Sequence, residues 1–171
     1  SGIQSHLDSQ GRLSGYTQSF TGGATAVVTY DVTNATAFSV DLVYYDSQSR
    51  IDIWDQNYDD GSRVVIDYDQ ANASGLSSSL VYYDTQSRLD RWDQNYDDGS
   101  RVVIDYDAAN ASSLANELLY FDTQARIDLW DRNYDDGSRI LVDFDQDNTQ
   151  SWNQHVLTYI TQGALIGDVF I

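Results

Sequence analysis

Aspartates and large aromatic residues recur along this 171-residue chain at positions from which they could bind a ligand. The aspartates are Asp52, Asp69, Asp90, Asp107, Asp128 and Asp145. The aromatic residues are Trp54, Trp92, Trp130, Tyr58, Tyr96 and Tyr134. Clustered carboxylates favour hard cations such as Ca²⁺, which takes about six to eight oxygen ligands. Exposed aromatic rings at regular spacing favour stacking on glycans or on a protein partner.

The charge of the chain narrows the classes of partner. The 27 acidic residues outnumber nine arginines, no lysine is present, and the net charge is −18. This balance argues against nucleic-acid binding, which needs clustered basic residues, and makes cations the natural ligands. The chain has no cysteine, which excludes thiol catalysis and cysteine-based zinc sites. It also has no apolar run of about 18 residues, so membrane insertion is not expected.

A 38-residue internal repeat positions these side chains. Residues 43–80 and 81–118 agree at 30 of 38 positions. We divide the chain into a degenerate first copy at 5–42, copies at 43–80, 81–118 and 119–156, and a C-terminal capping half-repeat at 157–171. No catalytic motif accompanies the repeat, and sites copied along an array would not converge on one catalytic cleft. We therefore expect a protein that is not an enzyme.

Each copy predicts three β-strands, since β-branched and aromatic runs at 42–46, 50–58 and 63–69 are separated by polar turns. The fold class expected is all-β, with tandem three-stranded meanders in a solenoid-like or superhelical hairpin array. A small β-propeller is the alternative. The linker containing Asn110 predicts a single helical turn.

A tight Asp60-Gly61 hairpin without a bulge predicts which side chains share a face. Tyr58 would then face Arg63. The apolar face expected comprises Leu42, Tyr44, Ile51, Ile53, Val64, Ile66 and Tyr68.

The opposite face would carry Trp54 and its equivalents, and Asp52 would lie directly across from Asp69. Asp90 and Asp107, and Asp128 and Asp145, would repeat that pairing. Either a ladder with Arg50, Arg88 and Arg126 or bound Ca²⁺ would neutralise these paired carboxylates. The tryptophans would either pack between layers of the array or form a binding surface.

Arg91 departs from this pattern, because Ile53 and Leu129 occupy its position in the neighbouring copies. On an apolar face its guanidinium would have to reach an edge or pair with Asp55 or Asp93. Arg91→Leu is therefore expected to be neutral or stabilising.

The unit YYDSQSRIDIWDQNYDDGSRVVIDYD at 44–69 resembles the YD repeats of Rhs-type and teneurin-type proteins. Tyr45, Asp46, Arg50, Ile51, Asp60, Gly61, Tyr68 and Asp69 carry the resemblance. The chain is also similar to repeats of large bacterial exoproteins exported by type I secretion, in which an acidic residue followed by apolar ones, here DVFI at 168–171, recurs at the C-terminus. These resemblances imply a secreted or cell-surface bacterial protein, or part of a YD-type shell around a toxin.

The leading hypothesis is an extracellular adhesive or structural repeat module that Ca²⁺ would rigidify. The alternatives are a carbohydrate-binding module that uses the repeated Trp and Tyr residues, and the YD-type shell.

Overall fold

The computed structural model describes residues 2–171, and every regular element in that range is a β-strand. The strands are β1 (Gly2–Leu7), β2 (Leu13–Ser19), β3 (Thr25–Tyr30), β4 (Phe38–Tyr45), β5 (Ile51–Tyr58), β6 (Arg63–Tyr68), β7 (Leu76–Tyr83), β8 (Leu89–Tyr96), β9 (Arg101–Tyr106), β10 (Leu114–Phe121), β11 (Ile127–Tyr134), β12 (Arg139–Phe144), β13 (Gln154–Tyr159) and β14 (Leu165–Phe170). A search of the described residues finds no helix able to cross a membrane.

The chain forms two compact units, the first ending at Arg88 and the second spanning Leu89–Ile171. Within each unit, every strand pairs antiparallel with its neighbours in the chain, which gives an open meander. The pairing passes without a break from one copy to the next, at β6 with β7 and at β9 with β10. The predicted all-β meander array is confirmed. The propeller alternative is wrong, because propeller blades are separate sheets.

Both turns of each copy are five-residue hairpin loops with a bulge. In the second turn, the Tyr58 N–H donates to the Ser62 carbonyl and the Gly61 N–H donates to the Tyr58 carbonyl. Gly61 has a φ of 90°, a conformation that glycine adopts without a steric cost. The residue facing Arg63 is therefore Asn57, not Tyr58. The expected bulge-free turn is wrong.

The bulge changes which side chains share a face, because a one-residue shift moves a whole strand's side chains to the other side. Trp54 lies opposite Ile66, whereas the sequence prediction placed them on different faces. Ile53 lies opposite Asp67, which places Asp69 beyond the end of β6. The predicted apolar face and the predicted direct pairing of Asp52 with Asp69 are both wrong. The same register displaces the other two Asp pairs: Arg91 faces Asp105 and Leu129 faces Asp143, so Asp90–Asp107 and Asp128–Asp145 are not direct pairs either.

Equivalent residues of successive copies lie on opposite faces of the sheet. Leu42 faces Asp55, Asp55 faces Val65, and Val65 faces Val81. Leu80, the equivalent of Leu42, is therefore on the other face from Leu42. The odd number of strands in each copy explains this exchange. The strand direction reverses from one copy to the next while the next strand still lies on the same side, so the face to which an equivalent residue points reverses as well.

The sheet is a single layer within each unit, since the contacts between described strands all join chain neighbours. The buried apolar side chains are consequently few: Ala26, Val28, Val103 and Val142. Most strand residues are half-buried on both faces. The stability of such a sheet depends on cross-strand pairs rather than on an enclosed core.

The linkers between copies are loops organised by one aspartate each. Asn110 has a φ of 52° and its N–H donates to the Asp107 carbonyl. The helical turn predicted at Asn110 is therefore wrong.

Candidate functional site

Asp69 is the organising residue of the loop that follows β6. Its carboxylate accepts hydrogen bonds from the Ala73 N–H (3.1 Å), the Ser74 N–H (2.7 Å) and the Ser74 hydroxyl (2.8 Å). The backbone and hydroxyl bonds of Ser74, together with that of Ala73, hold the pKa of Asp69 below its usual value. Asp107 and Asp145 accept equivalent bonds in their own loops. These carboxylates thus have a structural role in the turn.

Aspartates line two corresponding cavities at the ends of the strands. Asp52, Asp67 and Asp69 line the first, whose volume is about 390 Å³. The second has a volume of about 230 Å³ and is lined by Asp128, Asp143, Asp145 and Asp147, among others. Burial and the nearby charge of Asp143 raise the pKa of Asp128. No group of three or more ligands able to hold a metal ion is found among residues 2–171.

The arginines predicted to form a ladder with Asp52 and its equivalents bind other aspartates. Arg50 pairs with Asp46 of its own turn, with Nη2 to Oδ2 at 2.6 Å. Asp46 also accepts the N–H groups of Gln48 and Arg50. Arg88 and Arg126 repeat this arrangement with Asp84 and Asp122. The predicted ladder is therefore wrong, and these arginines brace the first turn.

A second set of ion pairs lies within the sheet and was not recognised in the sequence. Asp55, Asp93 and Asp131 pair with Arg63, Arg101 and Arg139 across the second turn. Asp93 and Asp131 are only 3% and 8% exposed. The signal in the sequence was an aspartate eight residues before an arginine on either side of each Asp-Gly turn.

Arg91 pairs with Asp93, one of the two carboxylates predicted for it, and with Asp105, which was not predicted. Its Nη2 lies 3.3 Å from Asp93 Oδ2 and its Nε lies 3.6 Å from Asp105 Oδ1. Asp105 is the residue directly opposite Arg91, and Glu117 is directly opposite Asp105. Arg132 is in turn opposite Glu117. Four charged side chains therefore form one row across β8–β11.

The tryptophans are half-buried but do not share one face. In the second unit, Trp92 faces Ile104 and Ile104 faces Leu118, whereas Trp130 faces Leu119. Because Leu118 and Leu119 point to opposite sides of β10, Trp92 and Trp130 lie on opposite faces. The expectation that all the tryptophans occupy one face is wrong.

Trp54 borders a shallow cleft on one face of the first unit. Gln56, Tyr58, Val64, Ile66 and Tyr82 complete the lining, and the volume is about 210 Å³. The Trp54 indole N–H donates to the Asp41 carboxylate, and the Tyr58 hydroxyl donates to Gln56 Oε1 at 2.8 Å.

The corresponding position of the last full copy is filled by an arginine. The Arg132 guanidinium lies 4.2 Å from the centre of the Trp130 ring. Glu117 Oε1 accepts hydrogen bonds from both Trp130 Nε1 and Arg132 Nε, each 2.6 Å long. The hydrogen bond to Glu117 is the main cause that raises the pKa of Arg132.

Comparison with known proteins did not identify a family. No family model matches the chain, and no curated protein matches it.

Proposed function

We propose that the chain is a non-enzymatic extracellular repeat module with a structural or adhesive role. The observation that carries this proposal is the single-layer meander, in which potential ligands recur along an open sheet instead of converging on one cleft. A cross-strand ion pair recurs within each of the last three copies, and backbone strand pairing continues the sheet from β6 to β7 and from β9 to β10. Such an array is suited to holding other parts of a protein apart, or to presenting one surface repeatedly.

Ca²⁺ is the cation proposed to stiffen the array at the strand ends. The support is the pair of corresponding cavities, one lined by Asp52, Asp67 and Asp69 and the other by Asp128, Asp143 and Asp145. Carboxylate and carbonyl oxygens are the ligands that Ca²⁺ prefers.

Thermal unfolding in EDTA and in millimolar Ca²⁺ tests the calcium proposal. Binding would raise the melting temperature in Ca²⁺, and the double variant Asp52→Asn/Asp67→Asn would reduce that increase. Asp97→Asn/Asp135→Asn makes the same charge change at exposed positions and serves as the control. Equal melting temperatures in EDTA and Ca²⁺ would reject calcium binding and leave the structural role to the ion pairs.

Glycan binding is the second candidate function, and the cleft at Trp54 favours it. The half-buried indole, two tyrosines and the Gln56 amide combine an aromatic surface with polar groups, as sugar sites do. A glycan array with Trp54→Ala and Trp92→Ala as variants tests this function. Binding that both variants retain would exclude these rings as the sugar platform.

A further inference from the structure

A binding site for a guanidinium group lies where the last full copy meets the end of the preceding copy, and the chain fills it itself. Arg132 lies over Trp130 and pairs with Glu117, as described above. Two groups therefore hold the cation: an indole face and a carboxylate that also accepts the indole N–H. Tyr134 lies two residues beyond Arg132 on the same strand.

An equivalent site lies where the first and second copies meet, but it has no arginine at the equivalent position. Trp54, Asp41 and Tyr58 are the equivalents of Trp130, Glu117 and Tyr134. The bond from the indole N–H to Asp41 reproduces the bond from Trp130 to Glu117. Gln56 replaces Arg132 and lies directly opposite Asp41. The result is the cleft of about 210 Å³ that Tyr82 closes on one side.

Charge also favours a cationic occupant of this cleft. Residues 31–147 contain 25 acidic residues and eight arginines, a balance of −17 out of the total of −18. The cleft lies within this acidic segment, whose field attracts cations and repels anions. A planar guanidinium stacks on an indole and pairs with a carboxylate better than a lysine ammonium does.

We propose that the cleft formed by Trp54, Gln56, Tyr58 and Tyr82, with the Asp41 carboxylate, binds an arginine side chain of a basic protein partner. The bound guanidinium would take the place that Arg132 takes in the last full copy. This inference goes beyond the structural role and does not depend on calcium binding.

Peptide binding to the intact chain tests the proposal. The probes are three peptides of equal length in which glycine alternates with arginine, lysine or citrulline, measured by calorimetry at physiological salt. The arginine peptide should bind roughly tenfold more tightly than the lysine peptide, and the neutral citrulline peptide should not bind. Equal affinity for the arginine and lysine peptides would overturn the proposal, because it would indicate attraction by net charge alone.

Three variants test the cleft without truncating its aromatic rings: one fills it, one is a control for the added charge, and one opens the equivalent cleft. Gln56→Arg should place a guanidinium over Trp54 and remove the preference for arginine. Gln94→Arg adds the same charge at the equivalent position of the third copy, for which Ser79 stands in place of Asp41, and should leave the preference intact. Arg132→Gln should open the cleft at Trp130 and raise the number of peptides bound per chain by one.

Circular dichroism would show that each variant keeps its β-sheet. A folded Gln56→Arg variant that retains the arginine preference would overturn the proposal. Displacement of the peptide by a neutral oligosaccharide at lower concentration would assign the cleft to glycans instead.

Discussion

Arg139 donates two hydrogen bonds to the carboxylate of Asp131, from Nε to Oδ1 and from Nη2 to Oδ2, each 2.7 Å long. Asp131 is only 8% exposed, whereas 42% of the Arg139 side chain remains accessible. The guanidinium also lies 5.9 Å from the centre of the Tyr159 ring. The pair thus connects three consecutive strands, β11, β12 and β13, in a sheet that lacks an enclosed core.

Asp131→Asn should destabilise the protein by about 1–3 kcal/mol, which lies between the values for surface and fully buried ion pairs. The reason is that the amide cannot form the bidentate pair with Arg139. Asp135→Asn is the control, since it makes the same charge change at an exposed turn position. Chemical denaturation measures both variants. Equal unfolding midpoints for the two would show that the Arg139 pair contributes nothing to stability.

Ala125→Gly should stabilise the protein by about 1 kcal/mol. Ala125 has a φ of 61°, a left-handed conformation that costs an L-residue about 1–2 kcal/mol and glycine almost nothing. Ser49 and Ser87 occupy the same conformation, and Gly11 occupies it in the first copy.

The control for Ala125→Gly is Ala109→Gly, at an exposed loop position whose φ is not positive. This substitution should not stabilise the protein, because it only increases the freedom of the unfolded chain. A melting temperature that Ala125→Gly leaves unchanged or lowers would contradict the explanation by backbone strain.

The conformation at Ala125 also shows why the fold was easier to predict than the register. The three strands and two turns of each copy were evident from their β-branched runs and Asp-Gly steps. In the first turn a serine or an alanine occupies the left-handed position, and neither residue type predicts that conformation. The sequence therefore gives no indication of the bulge in that turn. The Asp60-Gly61 step predicted a tight turn without the bulge that forms at Gly61, and this shift of one residue places Trp54 on the face of Ile66.

The exchange of faces between copies, by contrast, was implied by the odd number of strands. With the observed register, this exchange places Trp92 and Trp130 on opposite faces of the sheet. The row of four charged side chains across β8–β11 could not be predicted from the sequence. Arg91, Glu117 and Arg132 are far apart in the chain and are brought together only by the observed strand pairing.

Acid should destabilise the protein through the loop aspartates. The Ala111 N–H and the Ser112 N–H and hydroxyl hold the pKa of Asp107 below its ordinary value of 3.8. A folded-state pKa below the unfolded one means that the unfolded chain binds the proton more readily. The stabilisation by Asp107 is therefore fully present above the unfolded pKa and is lost as the pH falls through the folded pKa.

The variant Asp107→Asn tests this pH dependence of stability. The variant should melt below the wild type at pH 7, and the difference should narrow as the pH falls below about 4. Thermal unfolding between pH 2 and pH 7 measures the difference. A gap that stays constant with pH would show that the loop does not depend on the ionised carboxylate.

Arg91→Leu should lower the stability of the protein by about 1 kcal/mol, which reverses the expectation from sequence. Leucine opposite aspartate is tolerated in the last full copy, where Leu129 faces Asp143. The third copy differs because Asp105 faces Glu117, a like-charge pair that Arg91 and Arg132 flank.

The charge of Glu117 should therefore determine the effect of Arg91. Burial is the main cause that raises the pKa of Asp105, while Arg91 opposes the rise and Glu117 adds to it. In the double variant Arg91→Leu/Glu117→Ser, Asp105 would face serine, as Asp67 faces Ser79 in the second copy.

A double-mutant cycle over Arg91→Leu and Glu117→Ser measures this coupling by chemical denaturation at pH 7. The decrease in the free energy of unfolding caused by Arg91→Leu should be smaller when residue 117 is already serine. The loss should also shrink as the pH falls toward 4, because a protonated Asp105 no longer needs a cation opposite it. Equal losses in both backgrounds would contradict the prediction, because they would show that the effect of Arg91 does not depend on Glu117.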